Sequence, residues 1–146
     1  MKSYRQQLHC GLLCLSIGLS STACAAVESA QTTPAVSTYR AVGEGAPVVM
    51  VHGALSDARA WDDVIDALSS TPGYHFITYH QRYYGPQEHA VGKPADFNRN
   101  THIEDLIRLA ESQGAPVTLV TWSYGGEIGL HAMQQRPELF RAAVHF

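Results

Sequence analysis

Short apolar runs alternate along this chain with stretches of helical spacing, and that alternation restricts the fold most. Pro47-Val48-Val49-Met50-Val51 holds no polar side chain, as a strand buried on both faces requires. Val117 to Thr121 and Tyr74 to His80 read as further strands. Thr38 to Val42 is a shorter one, closed by Gly43-Glu44-Gly45, and Ala142 to Phe146 begins another. Between them, Asp57 to Ser70 places Ala60, Trp61, Val64, Ile65 and Leu68 on one helical face, with Ser56 or Asp57 as N-cap and Thr71-Pro72-Gly73 as the stop. His102 to Gln113 is predicted helical with Ile103, Leu106, Ile107, Leu109 and Ala110 inward and Gly114 beyond its end. Tyr124 to Gln135 is predicted helical up to Arg136-Pro137. The pattern predicts an α/β fold, a mostly parallel sheet with flanking helices.

The first 25 residues do not belong to this pattern. Lys2 and Arg5 precede an uncharged, mostly apolar run from Leu8 to Leu19, and Ala23-Cys24-Ala25 offers a small-x-small cleavage site. The run is shorter than the roughly 20 residues that span a bilayer core. Residues 1–25 are therefore read as a signal peptide and 26–36 as a mature N-terminal tail. Residues 37–146 are read as the folded part. The expectation is export to the periplasm or the medium, with no stable membrane span in the mature form. A lipoprotein attached through Cys24 is the weaker reading, because Ser21 stands where such signals usually carry Leu. All three cysteines (Cys10, Cys14 and Cys24) fall in the leader, so the mature chain has no disulfide framework or thiolate zinc site. A net charge of -3 argues against a nucleic-acid partner. His75, His80, His89 and His102 show no metal-ligand spacing and read as loop and surface residues. No metal or organic cofactor is implied.

Two places carry chemistry, and each lies where a strand ends. In Thr121-Trp122-Ser123-Tyr124-Gly125-Gly126 a buried strand runs into a serine and a helix runs out. A serine at so sharp a turn is held in a strained backbone conformation and lifted clear of the sheet. Gly125 lets helix and strand approach. The helix start offers free N–H groups to developing negative charge. The second place is His52-Gly53-Ala54-Leu55, directly after the strand ending at Val51. Gly53 permits a turn that aims the next N–H into the cleft. His52 is read as orienting that loop rather than moving protons. Trp61 is read as a core anchor.

These segments resemble the α/β-hydrolase fold family in its serine-nucleophile branch. RAVGEGAPVVMVHGALSDARAW is similar to that family's segment from the second strand through the oxyanion loop, and LVTWSYGGEIGL to its nucleophile elbow. His80-Gln81-Arg82-Tyr83-Tyr84-Gly85 occupies the place of the family's Asp-x-Arg-Gly-x-Gly turn, and Thr121 stands where the elbow usually opens on Gly. The resemblance implies Ser123 as nucleophile, the backbone N–H groups of Ala54 and Tyr124 as the oxyanion hole, and Leu55 and Trp122 lining an acyl pocket. The expected partner is a small-molecule acyl substrate, an ester or a related acyl bond. Serine at the elbow argues against the aspartate-dependent haloalkane dehalogenase and epoxide hydrolase reactions.

The family's triad continues with an acid and then a histidine. After Ser123 the chain has Glu127 and Glu138, then His131 and His145, and none is placed to serve. The resemblance thus covers the N-terminal half of such a domain, and a fragment lacking the triad acid and histidine is expected. The alternative is a non-catalytic truncated chain acting as a binding or vestigial module.

Overall fold

A computed structural model describes residues 36–86, 94 and 96–146. The expected leader lies outside them, as does all of the expected tail except Val36, which packs against the core. Five strands form one sheet: β1 (Thr38–Gly43), β2 (Gly45–Val51), β3 (Gly73–Tyr79), β4 (Val117–Thr121) and β5 (Phe140–His145). Their order is β1-β3-β2-β4-β5, with only β1 antiparallel to its neighbour. The helices are α1 (Asp62–Leu68), α2 (Arg99–Glu111) and α3 (Tyr124–Gln135).

The apolar runs are buried from both sides because the sheet is covered on both faces. Val49 and Val51 of β2 join Ile77, Tyr79, Val117 and Leu119 against α2 and α3, where Ile103, Leu106, Leu109, Ile128 and Ala132 close the layer. Val48 and Met50 point the other way, to Phe76, Trp61 and Ile65. The strand period of two thus distributes one sequence run between two cores. The chain leaves β2 on the α1 face and returns to β4 on the α2 face. The strand order reverses between β2 and β4, and their carboxyl ends flank the crevice where open α/β sheets carry their sites.

Three expectations are corrected. The single helix from Asp57 begins instead as a 3₁₀ turn, Ala58–Trp61, capped by the Asp57 side chain, which accepts from the Arg59 N–H at 2.9 Å. The tighter turn rotates Ala58 inward and leaves Ala60 and Val64 exposed. The α2 helix starts at Arg99 rather than His102, because the Asn98 side chain accepts from the Thr101 N–H and caps the earlier turn. His102 then faces inward and is only 1% exposed, contrary to its reading as a surface residue. The last strand begins at Phe140 and not Ala142, after a 3₁₀ turn at Pro137–Leu139.

Trp61 is 7% exposed and holds the α1 side of the sheet with Met50, Ile65 and Phe76. Trp61→Ala should therefore lower the unfolding free energy by about 3–5 kcal/mol in a denaturant titration. Val64→Ala, one turn on and solvent-facing, should change it by less than about 0.5 kcal/mol.

Candidate active site

β4 ends in the elbow. Ser123 has φ 51° and ψ −122°, a left-handed conformation that L side chains adopt only under constraint. The constraint is threefold. The Trp122 N–H donates to the Val51 carbonyl at 3.1 Å. The Ser123 N–H donates to the Phe146 carbonyl at 3.0 Å, and the Gly126 N–H to the Ser123 carbonyl at 2.8 Å. The serine is exposed, and its hydroxyl has no hydrogen-bond partner among the described residues.

Gly125 makes the geometry possible. A Cβ there would stand 2.5 Å from the Val51 carbonyl oxygen and 2.7 Å from that of His52. Helix α3 thus starts directly against the end of β2. Gly53 meets the elbow from the opposite side, where a Cβ would lie 3.1 Å from Ser123 Cβ and 3.2 Å from the Trp122 ring. These two contacts bring the Ala54 loop beside Ser123 and Tyr124. Tyr124 opens α3, so its N–H has no preceding turn to bond. Neither N–H donates a backbone hydrogen bond among the described residues.

Thr121, where the family resemblance expects glycine, is accommodated from the helix side. Gly126 and Gly129 face it, with a Cβ at Gly129 only 3.1 Å from the Thr121 methyl, and its hydroxyl hydrogen-bonds His145 Nδ1. This places the room needed by the elbow on α3 rather than on β4.

His52 is fully buried. The Gln81 N–H donates to its Nε2 at 3.1 Å, which puts the proton on Nδ1, and Nδ1 lies 2.9 Å from the Gly53 carbonyl. The Gln81 amide also donates to the His52 carbonyl at 2.6 Å. Burial holds the imidazole below its ordinary pKa, so it is neutral and braces the loop. Gln81 itself is 1% exposed, and its role was not singled out from the sequence. The signal was its position, immediately beyond the strand that neighbours β2.

The following turn is tied to α2. Arg82 makes two bonds to Asp105, at 2.8 and 3.2 Å, and one to Asp96 at 2.7 Å, while Arg108 adds a further bond to Asp105. Tyr83 stands where the resemblance expects glycine and takes φ 68°. Its hydroxyl bonds Asp96, which helps hold the turn.

Leu55 and Trp122, expected to line an acyl pocket, have different surroundings. Leu55 is fully exposed on backbone at φ 58°, which turns its side chain into solvent. Trp122 lines a cavity of about 390 Å³ with Ala60, Trp61, Val64 and Phe146. Ser123 is not part of that lining, although Trp122, the residue before it, is. Glu127 pairs with Arg99 at 2.8 Å and His145 with Thr121, and neither bonds the Ser123 hydroxyl. Among the described residues no cluster of His, Cys, Asp and Glu could hold a metal ion, and no helix is long and apolar enough to cross a membrane.

A strained serine between a strand and a helix, beside the switch point of a mostly parallel sheet and with a glycine loop against it, defines an α/β fold of the hydrolase type. Residues 46–145 match the model of the alpha/beta hydrolase fold, and the chain belongs to that family. It is 31% identical over 98 residues to ethanol acetyltransferase 1 of Kluyveromyces marxianus, covering 66% of this chain and 26% of that protein. It is 31% identical to the proline iminopeptidase of Clostridioides difficile over 73% of this chain and 38% of that one. Among solved structures, an epoxide hydrolase of Vigna radiata superposes with a TM-score of 0.64 at 31% identity, over 72% of this chain and 34% of that chain. A bromoperoxidase of Bacillus anthracis gives 0.63 at 29%, over 73% and 38%. The chain spans about a quarter to two fifths of the length of these relatives.

Two measurements check this geometry. Gly125→Ala should abolish folding or lower stability by more than about 3 kcal/mol, since its Cβ would meet carbonyl oxygens that cannot swing away. Gly126→Ala, whose Cβ would find its nearest atoms at 3.5 Å, should fold like the parent or be up to about 1 kcal/mol more stable. The pH dependence follows from three histidines. Burial lowers the pKa of His52, His80 and His102 below 6.5. Between those folded values and 6.5 the unfolded chain binds more protons, so stability is full above 6.5 and is lost as pH falls through that window. The melting temperature should thus drop from about pH 7.5 to about pH 5. The loss from Asp57, whose pKa the Arg59 pairing holds at about 2, follows in a separate, more acid window.

Proposed function

We propose that the protein is a serine hydrolase acting on an ester or related acyl bond. The observation that carries this reading is Ser123, exposed and strained at the start of α3 with the Gly53 backbone packed against it, and we take the Tyr124 and Ala54 N–H groups as its oxyanion donors. The Ser123 Oγ attacks the acyl carbonyl carbon and the carbonyl electron pair moves to oxygen. That oxyanion is taken up by the two N–H groups and the positive end of α3. The alkoxy group leaves with a proton, and water then releases the acyl group from the serine. Glu127 and His145 are already engaged, so the base that takes the serine proton is assigned to residues outside those described. His52 stays neutral and holds the Ala54 loop.

The names of two relatives support an acyl substrate, an acetyltransferase and an iminopeptidase. The epoxide hydrolase shares the fold. The family resemblance ties that reaction to an aspartate at the elbow, where this chain has Ser123. For the leader, export with a mature N-terminus at or near Ala26 is proposed on the strength of Lys2, Arg5, the Leu8–Leu19 run and Ala23-Cys24-Ala25.

The test is made on the protein as its gene encodes it. A fluorophosphonate should label Ser123, located by peptide mass spectrometry. Ser123→Ala should reduce p-nitrophenyl ester turnover by at least about 10³-fold. A protein that is folded, unlabelled and indifferent to Ser123→Ala would instead be the non-catalytic binding module. For export, intact mass of the secreted form should correspond to a start near Ala26; a chain still starting at Met1, or a diacylglyceryl group on Cys24, refutes it.

A further inference from the structure

The two oxyanion donors sit on different elements, Ala54 after β2 and Tyr124 at the start of α3. Four rings run between those elements. His52 meets Tyr84 edge-on at a centroid distance of 5.6 Å, Tyr84 meets His102 at 5.8 Å, and His102 meets Tyr124 edge-on at 6.2 Å. Phe97 packs against both middle rings, at 6.1 Å from Tyr84 and 5.9 Å from His102. The chain of rings starts on the residue two before one donor and ends on the residue that carries the other.

His102 is the unexpected member. It is 1% exposed, and its Nδ1 is buried with no hydrogen-bond partner among the described residues. A buried polar atom without a partner destabilises, so an apolar residue would serve stability better here. The position is filled by a flat ring packed against both Tyr84 and Tyr124. Aromatic pairs prefer particular separations and inclinations, here a tilted contact with Tyr84 and a T-shaped one with Tyr124, so the ring sets the spacing of its neighbours more closely than aliphatic contacts would.

Building on the hydrolase reading, we propose that His102 is a positioning residue whose ring, keyed between Tyr84 and Tyr124, fixes the distance between the Ala54 and Tyr124 oxyanion donors. The donors act on the transition state more than on the bound substrate. Loosening the bridge therefore slows turnover and leaves substrate affinity almost unchanged.

The experiment uses the full gene product and p-nitrophenyl ester kinetics, with the melting temperature recorded for each variant. His102→Leu keeps the bulk and removes the ring. Its kcat should fall about 10- to 100-fold with KM within about twofold, as misplacement, rather than loss, of a donor predicts. His102→Phe restores a ring without the orphan nitrogen. It should recover kcat to within about threefold of the parent and melt at or above the parent temperature. Tyr84→Leu cuts the same bridge at a half-buried position, should show the same kcat-only loss, and carries the test if His102→Leu does not fold. Unchanged kcat in a folded leucine variant, or a loss confined to KM, overturns the inference. A His102→Phe protein as slow as His102→Leu also overturns it, because the nitrogen and not the ring would then matter. A parent protein without Ser123-dependent turnover refutes the hydrolase reading and this inference with it. An active parent whose leucine variants stay fast refutes the inference alone.

Discussion

The start of α3 lies against the carboxyl end of β2, and the rest of the site depends on that approach. Only a residue without a Cβ can occupy position 125, because the Val51 and His52 carbonyls are already there. With the helix so close, the chain between Thr121 and Tyr124 has two residues in which to reverse direction, and Ser123 takes the positive-φ backbone that results. The strain is held by hydrogen bonds that the elbow donates to either side, from the Trp122 N–H to the Val51 carbonyl at the end of β2 and from the Ser123 N–H to the Phe146 carbonyl just beyond β5. A serine so placed presents its hydroxyl to solvent while its own N–H and carbonyl remain paired.

The second requirement is a rigid wall opposite the elbow. It is built from neutral histidines rather than from charge. His52 takes one hydrogen bond from Gln81 and gives one to Gly53, so a single tautomer satisfies both ring nitrogens. His80 accepts the Ala58 N–H at 3.2 Å and so ties the turn after β3 to the turn after β2. Protonating either ring would remove an acceptor and leave a charge in a poorly solvated place, which is why burial lowers both pKa values. Charge is used further out, where Arg82 bridges Asp96 and the buried Asp105 and anchors the same turn to α2. Removing one member of that cluster would strand its partner, a larger loss than the pair itself contributes.

Much of this was legible in the sequence, where the information is local. The β4 and α3 limits agree with the reading of Val117 to Thr121 and Tyr124 to Gln135, because a β-branched run, a serine turn and a terminal Arg-Pro each act on their own neighbourhood. Less legible was the region after Val51. Helical spacing alone does not distinguish a 3₁₀ start from an α start: Trp61 and Ile65 are buried as expected, but Ala58 is buried in place of Ala60 and Val64. His102 falls at i and i+4 with Leu106, the same face as Leu109, yet its chemistry suggested the surface. Periodicity was the better guide there than residue type.

The sequence by itself determined the strand and helix alternation, the serine at the turn and the glycines that admit it, since each follows from side-chain period or from backbone freedom at one position. The tertiary structure decided which loops face each other. Strand order places β2 between β3 and β4, and so brings Gln81 onto His52 and Gly53 onto Ser123, contacts between residues 29 and 70 positions apart that no local rule specifies. It also sent Leu55 into solvent and Trp122 toward Trp61, because the direction of a side chain beyond a strand end is set by the neighbouring element and not by its own residue type.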